Sequence, residues 1–365
     1  MSYSESHQTS PSEALTYEAL CSPQRFVKLP SDICIGAASV GGFLACVMTK
    51  HAVMYASQQP KSKHQTDLRS AHVQFYRPIF PDKDAGVEMK LREVNIGRAW
   101  STFRVELTHG HDAKLAASAD VTVCNLHMHG KTLPTNWGLT PPARRLDLAR
   151  LETLGNPDWA CYHTAFHPAG FRRGMSYVKY YVPRKVPQPV KFVEQWITPG
   201  WDCEPCGSRK ETTGKATWTN ELIQFVADLS LPVQENFWPA EVLGSSLGSI
   251  VATLAFAARQ RLSYDEGRTD WRQLSDDGSL PEDGSKLFKN SMINVTLSMS
   301  TEIKKKLPEE GIRWLYMRTE AKRLENSRLD IEIILLDETL DLVAISHQVA
   351  WIVAGMQKTQ KSSTL

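Results

Sequence analysis

Gln348 is a polar residue that lies within a long apolar run at residues 342–353, where water is scarce. Both alternating sets of side chains in this run are mostly apolar, which predicts a strand covered on both faces. A buried amide needs partners for its carbonyl and its NH2, and leaving them unpaired costs on the order of 1–3 kcal/mol. The sequence therefore predicts that other polar groups lie beside Gln348.

Two residues are placed to meet this amide. A strand-like run at residues 291–303 carries Thr296, and hairpin pairing puts it in the same sheet as Gln348. The preceding helix-like segment, residues 218–229, carries Asp228 near its end. A carboxylate in a partly dry site is a competent proton acceptor, and a hydroxyl and an amide supply positioning hydrogen bonds. Asp228 and Thr296 are therefore candidates to lie beside Gln348, and these three residue types together could hold a water.

Each of the three also has an ordinary structural interpretation. Asp228 lies at the flank of its helix's apolar stripe, beside Glu221 and Gln224, which is typical of a solvated position. Thr296 is a common type of strand residue. Gln348 could simply satisfy a neighbouring backbone group. Catalysis is favoured by the combination and not by any one residue.

Size and composition narrow the class of protein. The chain has 365 residues, 42% apolar and 22% charged, which is enough for two core-forming units. A net charge of +2 offers no basic surplus for a phosphate backbone, so we expect no nucleic-acid partner. The polar start lacks the features of a signal peptide, and the seven cysteines are an odd count in mostly apolar segments. Together they favour an intracellular protein with reduced thiols.

Two charge-free windows, residues 33–49 and 242–258, fall short of the length that a membrane span needs. Both contain several Gly and Ser residues, so we interpret them as buried helices and expect no membrane span. Cys203 and Cys206 form a lone Cys-x-x-Cys with no second pair, so we expect no metal site and no cofactor.

The first half of the chain begins with a helix-like segment at residues 38–57 that is apolar on nearly every side. Such a helix must be wrapped by other elements. Four strand-like runs follow at hairpin spacing, which predicts an antiparallel meander; they are residues 71–79, 86–95, 99–109 and 113–125. One buried helix followed by antiparallel strands is the order of a hotdog domain.

The second half repeats this order. Residues 126–190 are rich in proline and loop-like, and a probable strand follows at residues 191–198. The helix at residues 218–229, with Thr217 or Thr219 as its cap, is stopped by Pro232, and a second helix is predicted at residues 240–261. An acidic loop comes next, and then four strand-like runs, residues 291–303, 313–322, 329–336 and 342–353. Adding 227 to first-half numbers aligns the last three strands without gaps, which favours an internal duplication.

Three short motifs give the chain a family resemblance. Ala-Asp-Leu ending at Leu229, Val-Thr-Leu-Ser-Met-Ser beginning at Val295 and Ser-His-Gln-Val ending at Val349 resemble the acyl-CoA thioesterase II family. That family has an α+β double-hotdog fold, in which an Asp, a Thr and a Gln hold the hydrolytic water. The resemblance implies these roles for Asp228, Thr296 and Gln348. The long segment between Asp228 and Thr296 departs from bacterial members and looks typical of fungal thioesterase-like proteins.

The resemblance also implies a domain organisation. It comprises a tail at residues 1–14, an N-terminal hotdog domain at 15–130, a connector at 131–190, a C-terminal hotdog domain at 191–356 and a tail at 357–365. The C-terminal domain carries an insertion at about residues 239–290, which we expect to border the acyl tunnel because it joins two elements of the site.

The implied function is hydrolysis of an acyl thioester, carried either by coenzyme A or by a carrier-protein arm. A tailoring enzyme of a fungal polyketide pathway, which releases, dehydrates or cyclises an acyl intermediate, is an alternative on the same fold. A non-catalytic acyl-binding protein is a second alternative. Backbone N–H groups near Gly41 and Gly42 are candidates to stabilise the oxyanion, although the family commonly has Gly-Gly-Gln where this chain has Gly-Gly-Phe.

Three further expectations concern partners and location. The lysines at residues 304–306 are expected to form a solvated turn, with contact to coenzyme A phosphates as the alternative. A homo-oligomer through the hotdog sheets is a further expectation. The predicted location is cytoplasmic or peroxisomal, since the C-terminal Ser-Thr-Leu weakly resembles a peroxisomal address.

Overall fold

The computed structural model describes residues 8, 10–15, 24–81, 86–110, 112–128, 130–164, 166, 168, 170, 172–203, 215–239, 248–267 and 292–354. Within these residues the helices are α1 Pro11–Ala14, α2 Gly41–Gln58, α3 Leu148–Glu152, α4 Ile223–Asp228 and α5 Ile250–Asp265. The strands are β1 Gln24–Val27, β2 Cys34–Ile35, β3 Ala38–Ser39, β4 Asp67–Phe75, β5 Val87–Ile96, β6 Trp100–His109, β7 Leu115–Cys124, β8 Trp159–Tyr162, β9 Val178–Pro183, β10 Phe192–Pro199, β11 Met292–Ile303, β12 Leu315–Glu325, β13 Arg328–Leu336 and β14 Leu342–Ala354.

Twelve of these strands form one antiparallel sheet in the order β1-β5-β6-β7-β4-β11-β14-β13-β12-β10-β9-β8. Each half of the chain contributes four strands in the same permuted order, β5-β6-β7-β4 and β12-β13-β14-β11. The halves meet where β4 pairs with β11, with Val73 opposite Met299. This symmetry agrees with the predicted duplication of a helix-and-sheet unit.

The long helix α2 is the core of the first unit. It is apolar on nearly all sides, and it packs against β4, β6, β7 and α4. No charged residue lies in its first turn, and Pro60 follows its C-cap residue Gln59. The fully apolar wheel seen in the sequence is explained by this wrapping on every face.

Several elements differ from the predictions. The segment expected to be loop-like contains β8 and β9, which pair with each other and with β10 and so extend the sheet. The strand predicted at residues 71–79 is β4, which both begins and ends four residues earlier than predicted. The predicted helix at residues 218–229 begins as a 3-10 turn at Asn220–Leu222, and only α4 is α-helical.

The predicted caps for that helix are also wrong. Thr219 precedes the 3-10 turn without a side-chain capping bond. The Thr217 hydroxyl donates instead to the carbonyl of Glu310 at 2.8 Å. An isolated bridge between Trp218 and Ile312 holds this segment to the chain before β12, so tertiary pairing competes with the helix for these residues.

The described part of the insertion packs away from the cavity that is described below. The described part of the second predicted helix is α5, which begins at Ile250 and is capped by the Ser249 hydroxyl. Phe256 contacts Tyr162 edge to face at 5.4 Å between ring centroids, and Gln260 donates to the carbonyl of His163. Residues 248–267 therefore cover β8, and the expectation that the insertion borders the tunnel is wrong for them. Residues 240–247 and 268–291, with most of the predicted acidic loop, lie outside the described residues.

Two further observations concern partners. Among the described residues, no helix is both long enough and apolar enough to cross a membrane. The three consecutive lysines are each paired with a carboxylate, Lys304 with Glu302, Lys305 with Asp337 and Asp341, and Lys306 with Asp67. These pairings disfavour the phosphate-binding alternative for the turn.

Candidate functional site

The three candidate catalytic residues line one cavity of about 540 Å³. Its floor is the sheet, with Thr296 on β11, Gln348 and Ala350 on β14, Ile331 on β13 and Thr319 on β12. The start of α2 and the segment after α4 close it from above. The remaining lining residues are Ile35, Ala38, Ser39, Val40, Gly41, Leu44, Phe75, Tyr76, Arg77, Pro78, Ile79, Met175, Asp228, Leu229, Ser230, Pro232, Val233, Gln234, Asn294, Val295 and Leu297.

Asp228 reaches the cavity because α4 crosses the start of α2 at very short range. A Cβ added at Gly42 would lie 2.5 Å from both the Asp228 Cβ and the Gln224 carbonyl oxygen. Only a residue without a side chain allows this approach. The Gly-Gly pair in the sequence is therefore explained at Gly42 by a helix crossing.

The Asp228 carboxylate is held by a backbone donor. Its Oδ2 accepts the Gly42 backbone N–H at 2.6 Å, and the nearby Thr296 hydroxyl also favours its charged form. The Gly42 N–H belongs to the first turn of α2, where backbone donors have no partner within the helix and the helix dipole favours negative charge. This contact fixes the carboxylate without a cationic partner.

Burial nevertheless raises the pKa of Asp228 above its ordinary value. Removal of the charged carboxylate from water is the largest cause, and the Gly42 hydrogen bond and the nearby Thr296 hydroxyl oppose it only in part. Asp228 also ends α4, where the negative end of that helix disfavours a carboxylate. A raised pKa makes this group a stronger base when it is deprotonated than a solvated aspartate.

Thr296 and Gln348 lie on adjacent strands. Thr296 is opposite Ala350, and a β-bulge follows between Thr296 and Ser298. Gln348 is 6% exposed, and its Nε2 lies 3.4 Å from the carbonyl oxygen of Ala227 and 3.5 Å from the Met299 sulfur. The contact with the carbonyl oxygen is long for an N–H···O hydrogen bond. The predicted burial of Gln348 is thus observed, and its nearest backbone acceptor comes from the helix that carries Asp228. The prediction that its strand is covered on both faces is wrong, because Trp351 and Val353 on the other face of β14 are 43% and 42% exposed.

The two glycines at the start of α2 have different surroundings. The Gly42 N–H is bound by Asp228, and Gly42 does not line the cavity. Gly41 does line it, and a Cβ there would lie 3.3 Å from Asp228 Oδ2 and 3.2 Å from the end of the Phe75 ring. Of the two predicted oxyanion-binding residues, only Gly41 is beside the space that a substrate would occupy.

Sequence reasoning missed the residues at the two ends of the cavity. Tyr76, Arg77 and Pro78 are exposed at one end, and Arg77 is the basic residue among the described residues of the lining. Gln234 and Thr319 lie at the buried end. A signal existed for Gln234, since it is an amide within the apolar and proline-containing stretch of residues 229–234.

No group of three or more His, Cys, Asp or Glu side chains suited to a metal ion occurs in the described ranges. Cys203 is buried with a free thiol, while Cys206 lies outside those ranges. The cavity instead combines a carboxylate of raised pKa, a hydroxyl, an amide and a glycine at a helix start. This set of groups can activate and orient one water beside a carbonyl carbon.

Comparison with known proteins relates this arrangement to one family. A family model described as the acyl-CoA thioesterase C-terminal domain matches residues 56–352, which is more than half of the chain. A thioesterase-like protein, TwmA of Talaromyces wortmannii, is 26% identical over 368 residues and covers 96% of this chain and 94% of its own length.

Solved structures show a common fold. A hot dog fold protein from Alicyclobacillus acidocaldarius covers 95% of this chain and 99% of its own with a TM-score of 0.58 at 12% identity. The tesB protein of Mycobacterium avium subs paratuberculosis covers 94% and 98% with a TM-score of 0.51 at 14% identity. At such identities the likeness concerns the fold alone, and it confirms the α+β double hotdog. With a family model that spans most of its length, the chain belongs to the acyl-CoA thioesterase family.

Proposed function

We propose that the protein hydrolyses an acyl thioester with a water held by Asp228, Thr296 and Gln348. The observation that carries the proposal is the convergence of these three side chains on one cavity, with the Asp228 carboxylate fixed by a backbone donor. Membership of the acyl-CoA thioesterase family supports the reaction class. The residue assignment rests on the geometry and on the resemblance of the three motifs.

In this mechanism the water oxygen attacks the thioester carbonyl carbon while the Asp228 carboxylate accepts a proton from that water. Thr296 and Gln348 provide hydrogen bonds that fix the water in an attacking position, which lowers the entropic part of the barrier. The tetrahedral intermediate then expels the thiolate and leaves the free acid. Asp228 returns the proton to the thiolate, so the enzyme ends in its starting protonation state.

The developing oxyanion needs a donor, and we assign this role to the Gly41 N–H. Gly41 is the first residue of α2, where no carbonyl of the same helix accepts its N–H, and it lines the cavity beside Asp228. Positive potential at a helix start stabilises negative charge on the oxygen. Gly42 then contributes indirectly, by holding the base.

A thiol-release assay over a panel of acyl-CoAs and acyl-N-acetylcysteamines tests the proposal. We expect release of one thiol and one free acid for each thioester consumed, with the acid identified by mass spectrometry. A cyclic or dehydrated product in place of the acid would favour the tailoring alternative. Tight binding without thiol release would favour an acyl-binding protein and overturn the proposal.

The exposed end of the cavity gives a prediction about the thiol carrier. Arg77 is the basic residue there, so we propose that it contacts a phosphate of coenzyme A or of a carrier arm. Arg77→Gln should raise KM for acyl-CoA by about twofold to fivefold, as expected for an exposed charge pair, without changing kcat. The matching acyl-N-acetylcysteamine lacks phosphate and should show no change. An equal effect on both substrates would contradict a phosphate contact.

The positioning residues give a second prediction. Thr296→Val and Gln348→Ala each remove a hydrogen bond to the water but leave the base, so each should lower kcat/KM by less than loss of the base does. Because all three residues act on one water, their losses should be strongly non-additive. The triple variant with Asp228→Asn should be little worse than Asp228→Asn alone, and additive losses would show that the residues act separately.

A further inference from the structure

The cavity extends well beyond the water-holding groups. Thr296 lies on β11, and the floor continues through β14 and β13 to Thr319 on β12. Three strand spacings correspond to about 14 Å. In the opposite direction the cavity reaches the exposed Tyr76, Arg77 and Pro78 after β4. An acyl chain whose thioester lies at Asp228 therefore extends toward β12.

The buried end carries polar groups that the fold itself does not use. Gln234 is 1% exposed, and within the part of the chain that the structure describes neither its Oε1 nor its Nε2 has a hydrogen-bond partner. Thr319 is fully buried, and its hydroxyl is likewise without a partner among those residues. Both side chains line the cavity. A plain alkyl chain would leave all of these groups unpaired, which is unfavourable in a buried site.

The segment that carries Gln234 is held in place. It belongs to the 3-10 helix Val233–Phe237, which packs against β12. The Asn236 amide donates to the carbonyl of Val233 and accepts the N–H of Ile250, so both its NH2 and its carbonyl oxygen have a partner. Gln234 is thus positioned by a braced turn that borders the cavity.

We propose that Gln234, together with Thr319, recognises an oxygen function on the distal part of the acyl chain, so that the substrate class is hydroxylated or oxo acyl thioesters. The Gln234 NH2 donates to a ketone or hydroxyl oxygen, and its carbonyl or the Thr319 hydroxyl accepts from a substrate hydroxyl. Sites that hydrogen-bond a substrate hydroxyl discriminate strongly against analogues that lack it. This inference rests on the proposed function for its reaction, although the binding preference itself does not require hydrolysis.

The test compares dodecanoyl-CoA with hydroxydodecanoyl-CoAs in which the hydroxyl moves from the middle of the chain to its terminal carbon. Dissociation constants are measured by calorimetry on Asp228→Asn, and kcat/KM on the wild-type enzyme. At the best hydroxyl position we expect a preference of about tenfold or more over dodecanoyl-CoA, as for one well-made hydrogen bond. In Gln234→Leu, combined with Asp228→Asn for the binding measurement, the preference should fall by about tenfold.

Gln195→Leu is the matched control. Gln195 is a fully buried amide with an unpartnered Oε1 among the described residues, but it does not line the cavity. The Gln195→Leu substitution should leave the preference for hydroxylated chains unchanged. Gln234→Leu should also raise Tm, because it replaces an unpaired buried amide with an apolar group of similar size.

Two results would overturn the inference. One is a wild-type site, or an Asp228→Asn site, that binds no hydroxylated chain more tightly than dodecanoyl-CoA. The other is a preference that survives Gln234→Leu. Failure of the proposed function is a separate outcome, because it is measured by thiol release. The calorimetric measurement tests the hydroxyl preference whether or not the protein releases thiol.

Discussion

Asp228→Asn should lower kcat/KM for the best acyl-CoA by about 10²–10⁴, which corresponds to about 2.7–5.4 kcal/mol of barrier. The substitution removes the proton acceptor while it preserves the shape of the side chain. The asparagine carbonyl oxygen still accepts the Gly42 N–H that Asp228 accepts at 2.6 Å. The activity loss therefore reports on the base and not on a collapsed cavity.

Stability should change in the opposite direction. Because the pKa of Asp228 is raised in the folded protein, the folded state binds more protons than the unfolded state between the ordinary and the raised pKa. Wild-type stability therefore falls as the pH rises through that interval, and the loss persists at neutral pH. Asp228→Asn lacks this loss, so its Tm should exceed that of wild type at pH 7, with the difference shrinking toward acidic pH.

Glu221→Gln is the matched control for this experiment. Glu221 lies in the 3-10 turn that leads into α4, is largely exposed and pairs with Lys50 at 3.0 Å. Its neutralisation removes the same charge from the same segment, but outside the cavity. We expect near wild-type kcat/KM and at most a small change in Tm. An Asp228→Asn enzyme that retains more than about a tenth of wild-type activity would place the base elsewhere.

Much of the fold could be predicted from the sequence because most strands bury one face. β6 and β7 alternate buried and partly exposed positions along almost their whole length, and both were predicted within two residues of their ends. β9 is different, since all six of its residues are buried and they include Lys179 and Pro183. A strand covered on both faces shows no alternation of apolar and polar residues. In β9 a lysine and two nearby prolines also made the segment resemble a loop. β8 failed for the same reason.

The site could be predicted only in part, because its geometry depends on a tertiary contact. The burial of Gln348 was predicted correctly but for an incomplete reason, since only one face of β14 is buried and the apolar Trp351 and Val353 lie on the exposed face. The resemblance supported Asp228 and Thr296. The sequence did not show that α4 crosses α2 at Gly42, since nothing local to residues 220–228 specifies their partner. It also did not show the exposed end at Arg77 or the buried end at Gln234, which belong to segments distant from the motifs.

Gly42→Ala should both destabilise the protein and lower its activity. The added Cβ would lie 2.5 Å from the Gln224 carbonyl oxygen and from the Asp228 Cβ, and 3.0 Å from the Phe225 Cα. These are backbone or backbone-adjacent atoms that no rotamer change can move, so α4 must shift as a unit. Overpacking of this kind costs about 1–3 kcal/mol, or roughly 1–4 °C in Tm for a chain of this size.

Gly41→Ala provides a graded comparison. Its added Cβ would meet the end of the Phe75 ring at 3.2 Å and Asp228 Oδ2 at 3.3 Å, both of which are side-chain atoms that can move slightly. Alanine is also favoured over glycine within a helix by about 1 kcal/mol. We therefore expect a smaller loss of Tm for Gly41→Ala than for Gly42→Ala.

The activity of Gly42→Ala separates a positioning role from a purely structural one. A shift of α4 moves the Asp228 carboxylate away from Thr296 and the water, and a displacement of about 1 Å can cost on the order of 10² in rate. kcat measured well below Tm should fall, with KM changed much less, because the acyl chain contacts other walls of the cavity. A Gly42→Ala enzyme with wild-type kcat and Tm would show that the crossing of α2 and α4 does not fix the base.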